Sequence, residues 1–166
     1  MLDTLQEWLG PHSTLLRVER HANTTPHILY LTTLPHPITL LSLNYTPQHF
    51  QSLIKGGDNV RFIELTCALE TKPDLDALCV KLTSNMGGGM TPNIAELSDA
   101  QSLVIIDGIE VLSGLGCSNK EIVMLVQRVM VTCRTVVTIK VSSNPTDAEA
   151  ELDSHLQCLF DNIAGD

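Results

Sequence analysis

Charged side chains are scarce in this chain of 166 residues: Asp, Glu, Lys and Arg make up only 17% of it, against roughly 25% in typical soluble domains. Apolar residues make up 43%. Two explanations stay open. A partner covers part of the surface, or a largely parallel sheet is buried on both faces. The length predicts a single domain over residues 1–166.

The charge that is present is mainly negative, because 19 acidic residues oppose 10 basic ones and give a formal net charge of −9. Binding to nucleic acid depends mostly on Lys and Arg that neutralise phosphates, so this balance argues against the chain alone gripping nucleic acid. Lys120, Arg128, Arg134 and Lys140 lie in the last third of the chain. A basic edge is therefore an alternative to ordinary solvated charges.

The chain also lacks the cysteine and histidine spacings of zinc sites and the long apolar run of a membrane-spanning helix. Its cysteines, at positions 67, 79, 117, 133 and 158, form no Cys-x-x-Cys pair, and its histidines form no His-x3-His pair. We expect buried thiols in a reducing compartment and no metal. No apolar run approaches the ~20 residues of a transmembrane helix, so we expect no membrane contact. Cys117 precedes a predicted helix, and a helix N-terminus favours a reactive thiolate. No base is paired with Cys117 in sequence, so a structural thiol is favoured over a reactive one.

A further absence concerns nucleotide chemistry. The apolar run Leu103–Ile106 ends in Asp107, as does the strand that holds magnesium in P-loop NTPases. Those enzymes also need a glycine-rich loop with Lys followed by Ser or Thr, and no Gly-Lys-Ser or Gly-Lys-Thr occurs here. The turn at residues 19–26 has no glycine and no lysine, and Pro26 offers no amide. Asp107 is therefore interpreted as capping the turn after its strand, with a magnesium ligand as the alternative.

Strand and helix patterns alternate along the chain, which predicts an α/β sandwich of three layers with a mostly parallel sheet. A helix is predicted over residues 1–10, and a flexible glycine-rich loop over 85–100. Ser118 and Glu121 match a capping box at the start of the clearest helix. Further helices are predicted to begin near Thr24, Thr46 and Pro73, and strands are predicted over residues 13–18, 38–43, 60–65, 103–106, 135–141 and 156–160.

Several of these segments resemble subunit 6 of the eukaryotic Elongator complex. The similarity is carried by residues 103–107, the turn at 109–118, the apolar helix after it and residues 136–144. Residues 14–17, 38–45, 60–65 and 147–158 match that family's remaining strands and acidic segment in order. The resemblance implies a RecA-like fold, which is a P-loop NTPase fold, without a Walker A motif. The family continues with further strands where this chain stops soon after Phe160, so its C-terminal strands are expected to be shortened.

The resemblance also implies a function. It implies a non-catalytic subunit without cofactor or metal, which forms a hexameric ring with Elongator subunits 4 and 5 in the cytoplasm and the nucleus. That ring binds tRNA and supports the modification of wobble uridines by the remaining subunits. Asp107 is the degenerate Walker B position. The alternatives are a free-standing inactive adaptor with the same fold and an active NTPase. By analogy with RecA-like rings, the candidate ring-lining or tRNA contacts are Arg134, Lys140, Ser142, Ser143 and Asn144, with a solvated loop as the alternative.

Overall fold

The strands of the chain form one parallel sheet. The structure, a computed structural model, describes residues 13–33, 37–54, 59–64, 73–83, 102–160 and 162–165. In this part of the chain the sheet has the order β3-β2-β4-β5-β1-β6, and every pairing is parallel. The predicted N-terminal helix, the glycine-rich loop and Cys67 lie outside the described residues. The strands are β1 Thr14–Glu19, β2 Ile38–Ser42, β3 Val60–Ile63, β4 Leu103–Asp107, β5 Arg134–Val141 and β6 Asn162–Gly165.

Helices cover both faces of the sheet and make the three predicted layers. On one face, Ile28 and Phe50 pack against Ile105 of β4. On the other face, Leu78 and Leu125 pack in a second core with Val104. No helix within the described ranges has the length and hydropathy needed to cross a membrane. The helices are α1 Thr25–Leu31, α2 Pro47–Gln51, α3 Leu75–Thr83, α4 Val111–Gly114, α5 Asn119–Thr132 and α6 Asp147–Leu159; α1 and α2 lie on the first face, and α3, α5 and α6 on the second.

The two central strands account for part of the apolar surplus. Every residue of β4 is buried, and so are residues 135–139 of β5. Successive side chains of a strand point to opposite faces, so a strand covered on both sides reads as a continuous apolar run. The predicted central position of residues 135–141 is confirmed, since β5 lies between β4 and β1.

Helix α5 follows the prediction most closely. The Ser118 hydroxyl accepts the Glu121 amide at 3.1 Å, and the Glu121 carboxylate accepts the Ser118 amide at 3.0 Å. These two bonds form the predicted capping box and satisfy amides that have no partner within the helix. The apolar stripe of α5 is buried against the sheet at Ile122, Leu125, Val126 and Val129.

The predicted strand at residues 156–160 is wrong, because this segment is the second half of α6. Thr146 caps the helix by accepting the Glu149 amide at 3.2 Å, and acidic side chains in a first turn are favoured by the helix dipole. Leu152 and Leu156 are buried while Ser154 between them is exposed, which fits a helix and not a strand, because a strand would put all three residues on one face. The last strand, β6, begins at Asn162 instead.

Smaller departures concern single residues. The helix predicted to begin near Thr46 is short and ends at Gln51, and Leu53 beyond it is 45% exposed. Cys158 lies on α6 and is exposed, whereas Cys79, Cys117 and Cys133 are buried free thiols as expected. The short helix α4, between β4 and α5, was not predicted.

Candidate functional site

Three polar side chains stand in a row where the central strands end. Ser42 of β2 is paired in register with Asp107 of β4, and Asp107 with Thr138 of β5. Two residues earlier, Leu40, Ile105 and Val136 are paired in the same way and belong to the core beneath α1 and α2. Because side chains alternate along a strand, the polar row faces α1 and α2 at the carboxyl edge of the sheet.

Both oxygens of the Asp107 carboxylate are held by hydroxyl donors. The Ser42 hydroxyl donates to Oδ2 at 3.0 Å and the Thr138 hydroxyl donates to Oδ1 at 2.7 Å. Each hydroxyl in turn accepts a backbone amide, from Tyr45 at 3.1 Å and from Gly108 at 2.8 Å respectively. Asp107 is fully buried. The carboxylate thus ties three strands to the turns that follow β2 and β4.

The turn after β4 is built differently from the prediction. Asp107 does not cap it with its side chain, since the Gly108 amide is bonded to Thr138. Gly108 has a φ of +91°, and a Cβ added there would lie 2.7 Å from Nδ2 of Asn44. Glycine is therefore required both by the backbone conformation and by the close approach of the Asn44 side chain.

The loop after β1 is where a phosphate loop would lie in a P-loop NTPase. Its Thr25 amide donates to Oδ1 of Asn23 at 2.9 Å, and the same oxygen accepts the Tyr45 hydroxyl at 2.9 Å. Pro26 stands in the first turn of α1 and has no amide, and the Thr24 side chain does not cap the helix. Of the positions that could donate to a phosphate here, Pro26 has no amide, and the Thr25 and Ala22 amides are bonded within the loop.

The site does not fit a magnesium-bound nucleotide. A magnesium ion in a P-loop NTPase is shared by the carboxylate and a hydroxyl of the phosphate loop. Here the hydroxyls bonded to Asp107 come from Ser42 and Thr138, and both donate their proton to it.

An aromatic group lies above this row, between α1 and α2. The rings of Tyr45 and His49 stack with centroids 4.4 Å apart, and His49 Nε2 is hydrogen-bonded to the Thr25 hydroxyl at 3.1 Å. Burial lowers the pKa of His27, while the nearby Asp107 carboxylate acts in the opposite direction. The spacing of the histidines in the sequence does not indicate this group, because its members meet only through folding.

The candidate ring-lining residues are divided between two edges of the sheet. Lys140 and the loop of Ser142, Ser143 and Asn144 lie at the carboxyl end of β5, where the Ser142 hydroxyl accepts the Asn144 amide at 3.1 Å. Arg134 is the first residue of β5. At about 3.3 Å per residue it lies about 20 Å from Lys140, so Arg134 and the other four candidates lie at opposite ends of β5. Their contact with a ring or with tRNA stays a prediction. Burial lowers the pKa of Arg134.

Glu110 is a residue at this edge that the sequence did not single out. Its carboxylate accepts the Lys140 amide at 3.1 Å, and burial raises the pKa of Glu110, although the Lys140 charge opposes that shift. Within the described ranges, no group of three or more His, Cys, Asp or Glu side chains is arranged to hold a metal ion.

Comparison with known proteins identifies the architecture. No protein-family model matches the chain, and no curated protein matches it. Among solved structures, it is similar to the flagellar accessory protein FlaH from Methanocaldococcus jannaschii, with a TM-score of 0.52 and 11% identity over 92% of this chain and 74% of that one. The chain has a RecA-like fold. At this identity the likeness concerns the fold alone. That Asp107, at the end of β4, is a degenerate Walker B position stays a prediction.

Proposed function

We propose that the chain is a non-catalytic, RecA-like subunit of the Elongator complex, similar to its subunit 6. In this proposal it joins subunits 4 and 5 in a hexameric ring, which binds tRNA and supports wobble-uridine modification by the remaining subunits. Its place of action would be the cytoplasm and the nucleus. The assignment to Elongator rests on the similarity of the segments between residues 14 and 158, and the non-catalytic role rests on the site.

One observation carries the non-catalytic role: the loop after β1 has neither the lysine nor the glycines of a phosphate loop, and Asp107 is enclosed by two hydroxyl donors. A buried carboxylate whose oxygens are both hydrogen-bonded stabilises the turns around it. The geometry therefore supports a structural role for the Asp107 carboxylate in this domain.

An exposed apolar surface on α3 and α5 supports assembly with other subunits. Val80 on α3 is 61% exposed, and Met124 and Val131 on α5 are 48% and 87% exposed. Asp76 and Arg128 join the two helices by an ion pair of 2.6 Å beside them. Exposed apolar side chains that cluster on one surface are typical of protein–protein contacts. We call this the α3–α5 surface, and we propose it as a contact within the ring.

Co-purification with Elongator subunits 4 and 5 tests the proposal. The unaltered chain and Gln48→Glu, which adds a charge at an exposed polar position of α2 on the other face of the sheet, are expected to co-purify with both subunits. Val131→Glu places the same charge on the α3–α5 surface and is expected to reduce recovery at least tenfold. Its melting temperature should stay unchanged, since an exposed substitution alters stability by about 0.5 kcal/mol or less.

Each alternative predicts a different outcome of this experiment. Failure of the unaltered chain to bind subunits 4 and 5, with recovery of a different set of proteins from its native cell, would identify a free-standing adaptor. ATP turnover by the purified chain that is abolished in Asp107→Ala would identify an active NTPase and overturn the non-catalytic role.

A further inference from the structure

A cleft of about 630 Å³ opens at the carboxyl edge of the sheet, between α4 and the first half of α6. The volume lies within the range of about 300–1,000 Å³ that is usual for small-molecule sites. The ends of β1 and β5 line the cleft, and these neighbouring strands are followed by helices that pack on opposite faces of the sheet. In open α/β sheets, ligands bind at such a position, outside the carboxyl ends of the strands.

The strand register decides which side chains reach the floor of the cleft. Ile139 and Val141 of β5 point to the face of α6 and pack with the core on that side. Arg17 is paired in register with Ile139, so it points to the same face, and it binds Asp153 of α6 through two bonds of 3.0 and 2.8 Å. Lys140 lies between Ile139 and Val141, so its ammonium group points to the opposite face of the sheet.

Glu110 places a carboxyl group at the edge of this floor. The residue comes directly before α4 and lines the cleft, and its Oε1 accepts the backbone amide of Lys140 at 3.1 Å. That amide belongs to the part of β5 that forms the floor, so the hydrogen bond holds the carboxyl group beside Ile139 and Val141. Among the residues that the structure describes, no Lys or Arg forms an ion pair with Glu110.

The charge of this carboxyl group is poorly compensated. Burial raises the pKa of Glu110, and the Asp107 charge adds to the rise, whereas backbone hydrogen bonds and the Lys140 charge oppose it. The Arg17 guanidinium does not supply the missing charge, because Asp153 already neutralises it. A cation beside a buried carboxylate favours its charged form, so a cationic ligand would offset the cost of this burial.

The other charged side chains of the lining are closer to solvent. Glu149 accepts the Thr146 hydroxyl at 3.1 Å within the cap of α6, and Arg20 follows the last residue of β1. Both Glu149 and Arg20 are exposed, so water screens their charges. Inside the cleft, the group that determines the preferred ligand charge is therefore the carboxyl group of Glu110.

We propose that this cleft binds an organic cation, with an ammonium or guanidinium group beside the Glu110 carboxylate and an apolar stem lying against Ile139 and Val141. A free amine and a basic side chain of another protein both carry this combination of charge and stem. The inference does not depend on the Elongator assignment, because it rests on the side chains of this chain alone. The site also differs from the nucleotide position of P-loop NTPases, which lies at the loop between β1 and α1.

Amide chemical shifts in ¹⁵N-labelled protein test the proposal, with benzylamine, benzyl alcohol and benzoate as probes of similar shape and different charge. Saturable shifts of the Ser113, Gly114 and Ser142 amides, which line the cleft, are expected with benzylamine and not with the other two probes. The affinity should rise between about pH 4.3, the ordinary pKa of Glu, and pH 7, because the cation binds the ionised form of Glu110, whose pKa is raised.

A capped Gly-Arg-Gly peptide distinguishes the two sources of the cation. Tighter binding of the peptide than of benzylamine would assign the group to a basic side chain of a protein partner, and the reverse order would assign it to a free amine. The same peptide with Gln in place of Arg is expected to give no shifts.

Glu110→Gln keeps the shape of the side chain and its bond to the Lys140 amide but removes the charge. It should weaken benzylamine binding at pH 7 about tenfold and abolish the pH dependence, because a charged hydrogen bond becomes a neutral one. Glu151→Gln, at an exposed position of α6 outside the lining, is the matched control and should bind as the unaltered chain does. Arg20→Gln should bind at least as tightly, since it removes a like charge.

Three results would overturn the proposal. They are equal shifts with benzyl alcohol or benzoate, an unchanged affinity of Glu110→Gln for benzylamine, and weaker binding of benzylamine to Arg20→Gln.

Discussion

Replacing Asp107 by alanine tests its structural role most sharply. The carboxylate accepts hydrogen bonds from two hydroxyl groups, with oxygen–oxygen distances of 2.7 and 3.0 Å. A hydrogen bond to a charged group contributes about 1.5–3 kcal/mol. The cost of burying the carboxylate offsets part of this sum. We expect Asp107→Ala to lower the free energy of unfolding by about 2–4 kcal/mol, since the Ser42 and Thr138 hydroxyls lose their acceptor.

Urea unfolding followed by circular dichroism measures this loss, and a double-mutant cycle locates it. Thr138→Val removes the hydroxyl at nearly constant shape, whereas Thr138→Ser retains it as the matched control. The cycle between Asp107→Ala and Thr138→Val should give a coupling free energy of at least about 1 kcal/mol. A loss below about 0.5 kcal/mol together with a coupling near zero would refute the structural role of Asp107.

Three further predictions follow from the same contacts. Gly108→Ala should lower the free energy of unfolding by about 1–3 kcal/mol in urea denaturation, and adding Asn44→Ala should recover the steric part but not the cost of the positive φ. Burial raises the pKa of Glu110 in the folded state, so the stability of the wild type falls as the pH rises from the unfolded pKa to the folded one. Glu110→Gln should therefore be more stable than the wild type at pH 7 and lose this advantage below about pH 4. Equal stabilities at pH 7 would contradict this. Since the Asp107 carboxylate raises the pKa of His27 against burial, Asp107→Asn should lower it in an NMR titration of the imidazole ring, and an unchanged or higher value would contradict that contact.

The layers of this fold could be predicted because their signals are local. The continuous apolar run of β4 and the capping box at Ser118 each lie within a few residues of sequence, and the structure confirms both. Residues 156–160 were misassigned for the same reason. A segment of five residues with four apolar side chains fits a strand and a helix equally well. Its helical phase becomes clear only from the exposed Ser154 between the buried Leu152 and Leu156.

The site could be predicted only in part. The missing phosphate loop and the carboxylate of Asp107 are visible in the sequence, but its partners Ser42 and Thr138 lie 65 and 31 residues away. Likewise, the ion pair between Arg17 of β1 and Asp153 of α6 joins residues that are 136 positions apart. Contacts of this kind are set by the order of strands in the sheet, which no local pattern specifies.

Titration of the ¹⁵N-labelled chain with magnesium and ATP tests the central claim most directly, read at the amides of Ala22, Asn23 and Thr25. The account predicts that these amides do not move and that Asp107→Ala changes nothing in the titration. Saturable shifts at these amides that disappear in Asp107→Ala would contradict it, because the loop and the carboxylate would then hold a nucleotide together.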